Sequence, residues 1–393
     1  VILYIFTPSF AYAQIDSVKF FLSSLIQSEA TVIAIVITLS LVVIQLTAST
    51  YSTRVIDIFK ESPIIWIIVG IYVTAIAYGL TLLKFMDAIA ATGISNFETS
   101  IWISYLLAIF AFGALILYLI NALNIMKSST VINSFAKRIT NENILSSVSD
   151  KERVMENDAT SLNYSYIYSD ILKPVIEIDA DPIQPIIDII HSSMMKYDYG
   201  TMRYGLKVLE NYVVDLLKNN EFSKDEGIIT KHILNHHERV GRLAASREDE
   251  DSVEKVVTVI FTIGKLAVEH EIENLAGESV NSIGDMGKYT ARNDLPKTTI
   301  RIINYIKELG LATLDENLNE ITNNAVNYLG EIGRISVWSE LNTNVLPKLL
   351  NQVDESLKII RDKAKEKKFA ETISNVDSTH ERIRELMKEQ NLQ

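Results

Sequence analysis

Two histidines, His232 and His236, stand four residues apart, with His237 and Glu238 directly after the second. On a helix this spacing stacks the pair on one face, where both imidazoles can reach a single metal ion. The His-Glu-x-x-His order of a zinc hydrolase is absent, so His232 and His236 are a candidate metal site without a catalytic base. The competing reading is a pair of ordinary helix histidines. His270-Glu271 offers less, because Asn274 stands where a second zinc histidine belongs. The run Gly284-Asp-Met-Gly287-Lys288-Tyr289-Thr290 has the glycines and lysine of a phosphate loop, but with the wrong glycine spacing and a tyrosine after the lysine. No nucleophile elbow, dinucleotide-binding turn or pair of buried carboxylates stands out. The chain has no cysteine, which excludes thiol catalysis, disulfides and Cys-ligated metals. The expectation is a non-enzyme without a cofactor.

A second set of polar residues lies in apolar sequence. Thr31, Thr38, Gln45 and Ser52 recur every seven residues, about two helical turns, and so share one face. Ser40, Thr47 and Arg54 form another line roughly opposite. One reading is a hydrophilic stripe lining an oligomeric pore, with Thr38, Gln45, Ser52 and Arg54 as its residues. The other is hydroxyls bonded to carbonyls of their own helix, with Gln45 joining helices.

The elements that must position these residues divide sharply by polarity. Thr31–Ala48, Pro63–Leu83 and Ile101–Leu123 contain no Asp, Glu, Lys or Arg. A bilayer core takes roughly 20 apolar residues, which predicts three spans over 31–52, 63–83 and 101–123 within a membrane domain of 14–138. Gly70, Thr74 and Ala77 make a small-residue seam expected to pack helices tightly. The absence of ionisable groups inside the three segments predicts a passive pore or a structural anchor rather than a coupled carrier. Arg54, Lys60, Lys127, Lys137 and Arg138 flank one side of the spans, against Lys19 and Lys84 on the other. The excess of positive residues predicts a cell-membrane protein with its N-terminus outside and its C-terminal domain cytoplasmic. Val1–Phe10 followed by Ala11-Tyr12-Ala13 reads as the end of a signal peptide or as a clipped first membrane helix.

The run Ile37-Thr-Leu-Ser-Leu-Val-Val-Ile-Gln-Leu-Thr-Ala-Ser-Thr-Tyr-Ser-Thr-Arg54, then Val69-Gly70-Ile71-Tyr72, Tyr78-Gly79-Leu80-Thr81 and Ser128-Ser-Thr-Val-Ile132 resemble the predicted membrane proteins of domain-of-unknown-function family 2254. The resemblance covers about residues 31–138. It implies the membrane class and a further span upstream, for which Val1–Ala13 is the counterpart, and it carries no activity. Thr53 stands where the family has proline, and the family's Ser-Pro and Asn-Asp-Pro elements are missing around Asp181-Pro182 and Asp188.

Beyond a linker at 139–173, residues 174–393 read as an acidic helical domain. Up to Thr140 the chain has 7 basic and 6 acidic residues, leaving 30 basic and 43 acidic for the rest. Such a domain does not bind nucleic acid, which needs a basic face. Ser279-Val-Asn-Ser-Ile-Gly-Asp-Met-Gly-Lys288 recurs as Ala325-Val-Asn-Tyr-Leu-Gly-Glu-Ile-Gly-Arg334, 46 residues on. This period predicts HEAT- or armadillo-like helix pairs, or an irregular helical bundle. The paired glycines are expected to let helices approach closely. The whole reads as an all-α, multi-pass membrane protein that anchors a cytoplasmic interaction or regulatory domain, embedded in the lipid bilayer, homo-oligomeric and bound to a cytoplasmic protein. The alternative is an oligomeric pore gated by the helical domain.

Overall fold

The computed structural model describes residues 15–50, 63–92, 98–148, 181–218, 223–339 and 345–389. Among these every regular element is a helix, and the chain divides into two units, Val1–Val131 and Ile132–Gln393. The expected signal-like segment, Ser52, Arg54 and most of the expected linker lie outside the described residues.

The first unit consists of α1 (Ile15–Thr50), α2 (Pro63–Thr92) and α3 (Glu98–Ile125), all long and apolar enough to cross a membrane. Pro63 opens α2, where its missing N–H breaks no helical bond. Leu22 packs with Met86 and Ile101, while Val36 packs with Ile68, Tyr72 and Ala111, so α2 runs antiparallel and α3 parallel to α1. Ser40 bonds to Tyr118 in the core of the unit.

Three expectations are corrected here. The helix that carries the first apolar segment begins before Thr31. It has 36 residues and starts at Ile15, because Ser23, Ser24, Gln27, Ser28 and Glu29 continue it without a break. Serine and threonine hydroxyls make this cheap by donating to carbonyls one turn back, as Ser28 does to Ser24 and Thr31 to Gln27. Next, the seam of Gly70, Thr74 and Ala77 faces outward, and a Cβ at Gly70 would meet nothing within 4 Å. The close approach occurs instead at Gly79, where a Cβ would come 2.8 Å from the Ile26 side chain. Ile68, Tyr72, Ala75 and Gly79 form the inward face of α2. Finally, the chain after the spans is packed sooner than expected. Helix α4 (Ser128–Ala136) crosses the boundary between the units and α5 covers residues 141–148. Ile144 and Ser147 are fully buried, and Tyr212 donates to Asn141 at 2.6 Å.

In the second unit follow α6 (Gln184–Met195), α7 (Tyr199–Leu217), α8 (Lys224–Ser246), α9 (Glu250–Glu269), α10 (Glu273–Arg292), α11 (Pro296–Asp315), α12 (Asn319–Trp338), α13 (Leu346–Lys367) and α14 (Ala370–Glu389). They alternate between two layers, α6-α8-α10-α12-α14 and α7-α9-α11-α13, each helix packing on its neighbours in both. Helices α9 to α12 have 20 residues each. The turns before, between and within this set place Glu248, Glu271, Asp294 and Asn317 at positive φ, spaced 23 residues apart. The repeat of 46 is thus two helix-turn steps of 23. Each turn closes with the sixth N–H bonding the first carbonyl, as Ile272 does to Ala267 at 2.8 Å and Leu318 to Thr313 at 2.8 Å. Buried hydroxyls repeat at the same interval: Thr299 donates to Thr290 at 2.9 Å, and Thr313 pairs with Thr322 at 2.9 Å. Contacts between successive pairs recur in register too. Arg301 meets Glu254 and Lys231 meets Glu278, while the Phe261 and Tyr305 rings stack with centroids 4.2 Å apart.

Glu271 holds φ 57° without an Asn or Gly to ease it. Glu271→Gly is expected to stabilise the unit by about 1 kcal/mol, since a left-handed residue with a Cβ is strained by roughly that much. Urea unfolding with an unchanged slope is the check.

The last pair, α13 and α14, is joined by Asp354, which meets Lys358, His380 and Arg384. Burial pushes the Asp354 carboxyl up, but the Lys358 hydrogen bond and the His380 charge outweigh it and hold it below its usual range. A carboxyl lowered by folding stabilises above its unfolded pKa, about 3.9, and loses this as pH falls through the folded value. Thermal unfolding followed from neutral pH to below about pH 4 should therefore show a shallower acid decline in Asp354→Asn than in the native chain.

Candidate functional site

The described residues bring His232 and His236 together on the buried side of α8, and add a ligand that the sequence reading did not pair with them, Asp181. Helix α8 is set by a capping box, in which Ser223 accepts from the Glu226 N–H and Glu226 accepts from the Ser223 N–H. One turn separates the histidines, and both rings point at the residue leading into α6. Asp181 is fixed there by its own backbone, its Oδ1 accepting from the Ile183 N–H at 3.0 Å. Pro185 in the first turn of α6 helps hold this entry rigid.

The other carboxylate oxygen, Asp181 Oδ2, lies 3.0 Å from His232 Nε2 and 3.1 Å from His236 Nε2. The two ring nitrogens are 3.2 Å apart, with the rings edge to face at 85°. Asp181, His232 and His236 are 3%, 8% and 2% exposed. Burial pushes the Asp181 carboxyl up, but hydrogen bonds and charge from the two imidazoles overcome this and hold it far below the usual carboxylate range. Three donor atoms of metal-ligating type thus converge on one point out of solvent. His237 points elsewhere, its Nδ1 bonded to the Ile233 carbonyl at 2.8 Å, and burial holds it below the usual histidine range.

The other sequence candidates resolve differently. Gly284–Lys288 sits inside α10 and not in a loop, and Lys288 is engaged by Asp285 at 2.7 Å and Glu331 at 3.3 Å. Its glycines serve packing: a Cβ at Gly284 would stand 2.2 Å from the Tyr328 ring. His270 and Glu271 form the turn after α9. In α1, Thr38 and Gln45 face away from the other two helices, and Thr38 donates to the Ala34 carbonyl at 2.8 Å. Ser40 and Thr47 face inward. Since Ser40 is level with Tyr118, Gln45 lies near the end of the span of α3, Thr99–Asn124, rather than at its middle.

The expectation that no ionisable group lies at membrane depth does not hold. Glu29 is 1% exposed. It stands midway between Leu22, packed with Met86 and Ile101, and Val36, packed with Ile68 and Ala111. That is about 10 Å from either level at 1.5 Å per residue. Glu29 is therefore inside the stretch shared by the spans Ile64–Met86 and Thr99–Asn124. It lies within electrostatic reach of Tyr72, whose buried hydroxyl has no hydrogen-bond partner among the described residues. Glu29 lies two residues before Thr31, just outside the charge-free segment of α1.

These features define an integral membrane protein with an all-α stack of helix pairs after its spans. The family described as "Predicted membrane protein (DUF2254)" matches residues 3–195, the family that the residues around Gln45 and Gly79 resemble. No curated protein matches the chain. Three solved structures are similar in fold, all at low scores. A structure titled "DHF58 filament" has 15% identity, covers 47% of this chain and 94% of its own, and has a TM-score of 0.34. The de novo designed helical repeat protein DHR64 has 12% identity, covers 47% and 97%, and has a TM-score of 0.35. A circular tandem repeat protein has 13% identity, covers 96% and 97%, and has a TM-score of 0.26. The repeat architecture rests on the chain's own 23-residue register.

Proposed function

We propose that this protein is a membrane-anchored interaction module. Three spans cross the cell membrane with the N-terminus outside, and the helical stack lies on the cytoplasmic side, where it binds a basic, extended segment of a protein partner. The observation that supports this is a polar groove of about 360 Å³ between α10 and α12, lined by Asn274, Glu278, Asn281, Asn319, Glu320 and Asn324. Asparagine amides on both walls can bond N–H and C=O of an extended backbone, and the Glu320 carboxylate favours lysine and arginine. A photo-cross-linker placed at Asn281 in the intact chain in cells tests the reading. A discrete protein adduct that Asn274→Ala with Asn324→Ala abolishes is the expected result, and an adduct pattern unchanged by that pair would end it.

A second reading has its own support in Glu29. Buried ionisable groups at membrane depth belong to ion or proton pathways more often than to anchors. Here an assembly of membrane units would pass protons or cations along Glu29, with the outward face of Thr38 and Gln45 joining copies. Flux into proteoliposomes that is equal for the native chain, Glu29→Gln and empty vesicles would remove this reading.

A further inference from the structure

We propose that Asp181, His232 and His236 form a site for a divalent transition-metal ion, zinc being the archetype, and that the ion locks the head of α6 onto α8.

The geometry argues this first. The three donor atoms form a triangle with edges of 3.0, 3.1 and 3.2 Å. Ligand bonds of about 2.0–2.1 Å put neighbouring donors roughly 3.3 Å apart in a tetrahedral site and roughly 2.9 Å apart in an octahedral one. The triangle falls between these values, so an ion about 1 Å above its plane would reach all three donors with shifts of a few tenths of an ångström. Without an ion the arrangement is crowded. Both Nε2 atoms aim at the same carboxylate oxygen, and two N–H groups pointing there bring their positive ends together. A cation in the same place accepts a lone pair from each nitrogen and from the oxygen, which removes the conflict.

The chemistry of the donors narrows the ligand. Two imidazoles and one carboxylate suit zinc and its neighbours among the transition metals, whereas calcium and magnesium favour all-oxygen sites. Among the described residues no fourth His, Asp or Glu joins the three. The carboxylate is pre-oriented as a one-oxygen ligand, because Oδ1 is already held by the Ile183 N–H. The ligands are distributed so that binding has a structural effect. Two come from one face of α8 and the third from the residues entering α6, 51 residues earlier. An ion therefore cross-links the start of the stack to its third helix.

The test uses the full chain in detergent, stripped with chelator; one portion is dialysed against zinc and another is titrated with cobalt(II) as a visible probe. The expected result is one ion per chain, nitrogen-ligand d–d absorption with cobalt, and binding at least tenfold weaker in Asp181→Asn and in His236→Asn. Zinc should raise the melting temperature of the native chain and slow amide exchange in α6, and should do neither in the variants. Failure of the native chain to bind either metal above background would overturn the proposal, whatever the variants do. So would equal binding by the native chain and by Asp181→Asn retaining native helicity. Binding without slower exchange in α6 would overturn the lock.

Discussion

Gly284→Ala is expected to destabilise the C-terminal unit by about 2–3 kcal/mol, the upper range for forcing extra atoms into a packed interior. The added Cβ would stand 2.2 Å from both Cγ and Cδ1 of Tyr328 and 2.6 Å from Cδ2. No rotation of a terminal group relieves such an overlap, because the atoms belong to the ring. The ring is also held in place, with the Lys288 ammonium 4.9 Å from its centroid. Gly277→Ala, in the same helix, supplies the control. Its Cβ would meet Ile321 at 3.9 Å, an ordinary contact. There the helix propensity of alanine should prevail and raise stability by up to about 1 kcal/mol. Tyr328→Ala should recover much of the loss when combined with Gly284→Ala. Urea unfolding of the four chains gives the coupling energy directly, and additivity would show that the close contact is not the cause.

Glu29→Leu is expected to make the membrane unit more stable, by about 1–3 kcal/mol, the cost of desolvating a buried polar group. Glu29 is 1% exposed. Removing it exchanges a desolvated carboxyl for an apolar side chain of similar length. Glu29→Gln should recover less, since an amide also needs partners. Thermal unfolding of the purified chain in one detergent compares the three. A clear loss of stability in Glu29→Leu would mean that the carboxyl holds the helices together.

These results bear on what the sequence could reveal. The helical stack was legible because Gly284, Gly287, Gly330 and Gly333 recur with aliphatic neighbours at 46 residues. The finer step of 23 was not, since alternate helices present different faces and Glu248 and Glu271 give no sign of a left-handed turn. The spans were legible as apolar runs, but their register was not. Ser23–Glu29 looks like a polar approach to the membrane, yet it belongs to α1, and only its level against Gly79 and Met86 reveals that. The small residues of α2 misled for a related reason. Composition marks which residues permit close approach, while the inward direction is set by where α1 and α3 lie. For the buried cluster the helical spacing of His232 and His236 was visible, but Asp181 was too distant in sequence to be joined to them without the fold.

The 23-residue step also has a mechanical meaning. Each helix pair packs mainly on the pairs before and after it, through contacts such as Glu254 with Arg301 and Thr258 with Tyr305. A column of this kind stretches as springs in series do: a pull at one end is divided among all the joints, and each gives by a small rotation while its own core stays intact. Bending is therefore shared among the joints of the stack, and a whole 46-residue pair is the unit by which such a column lengthens or shortens.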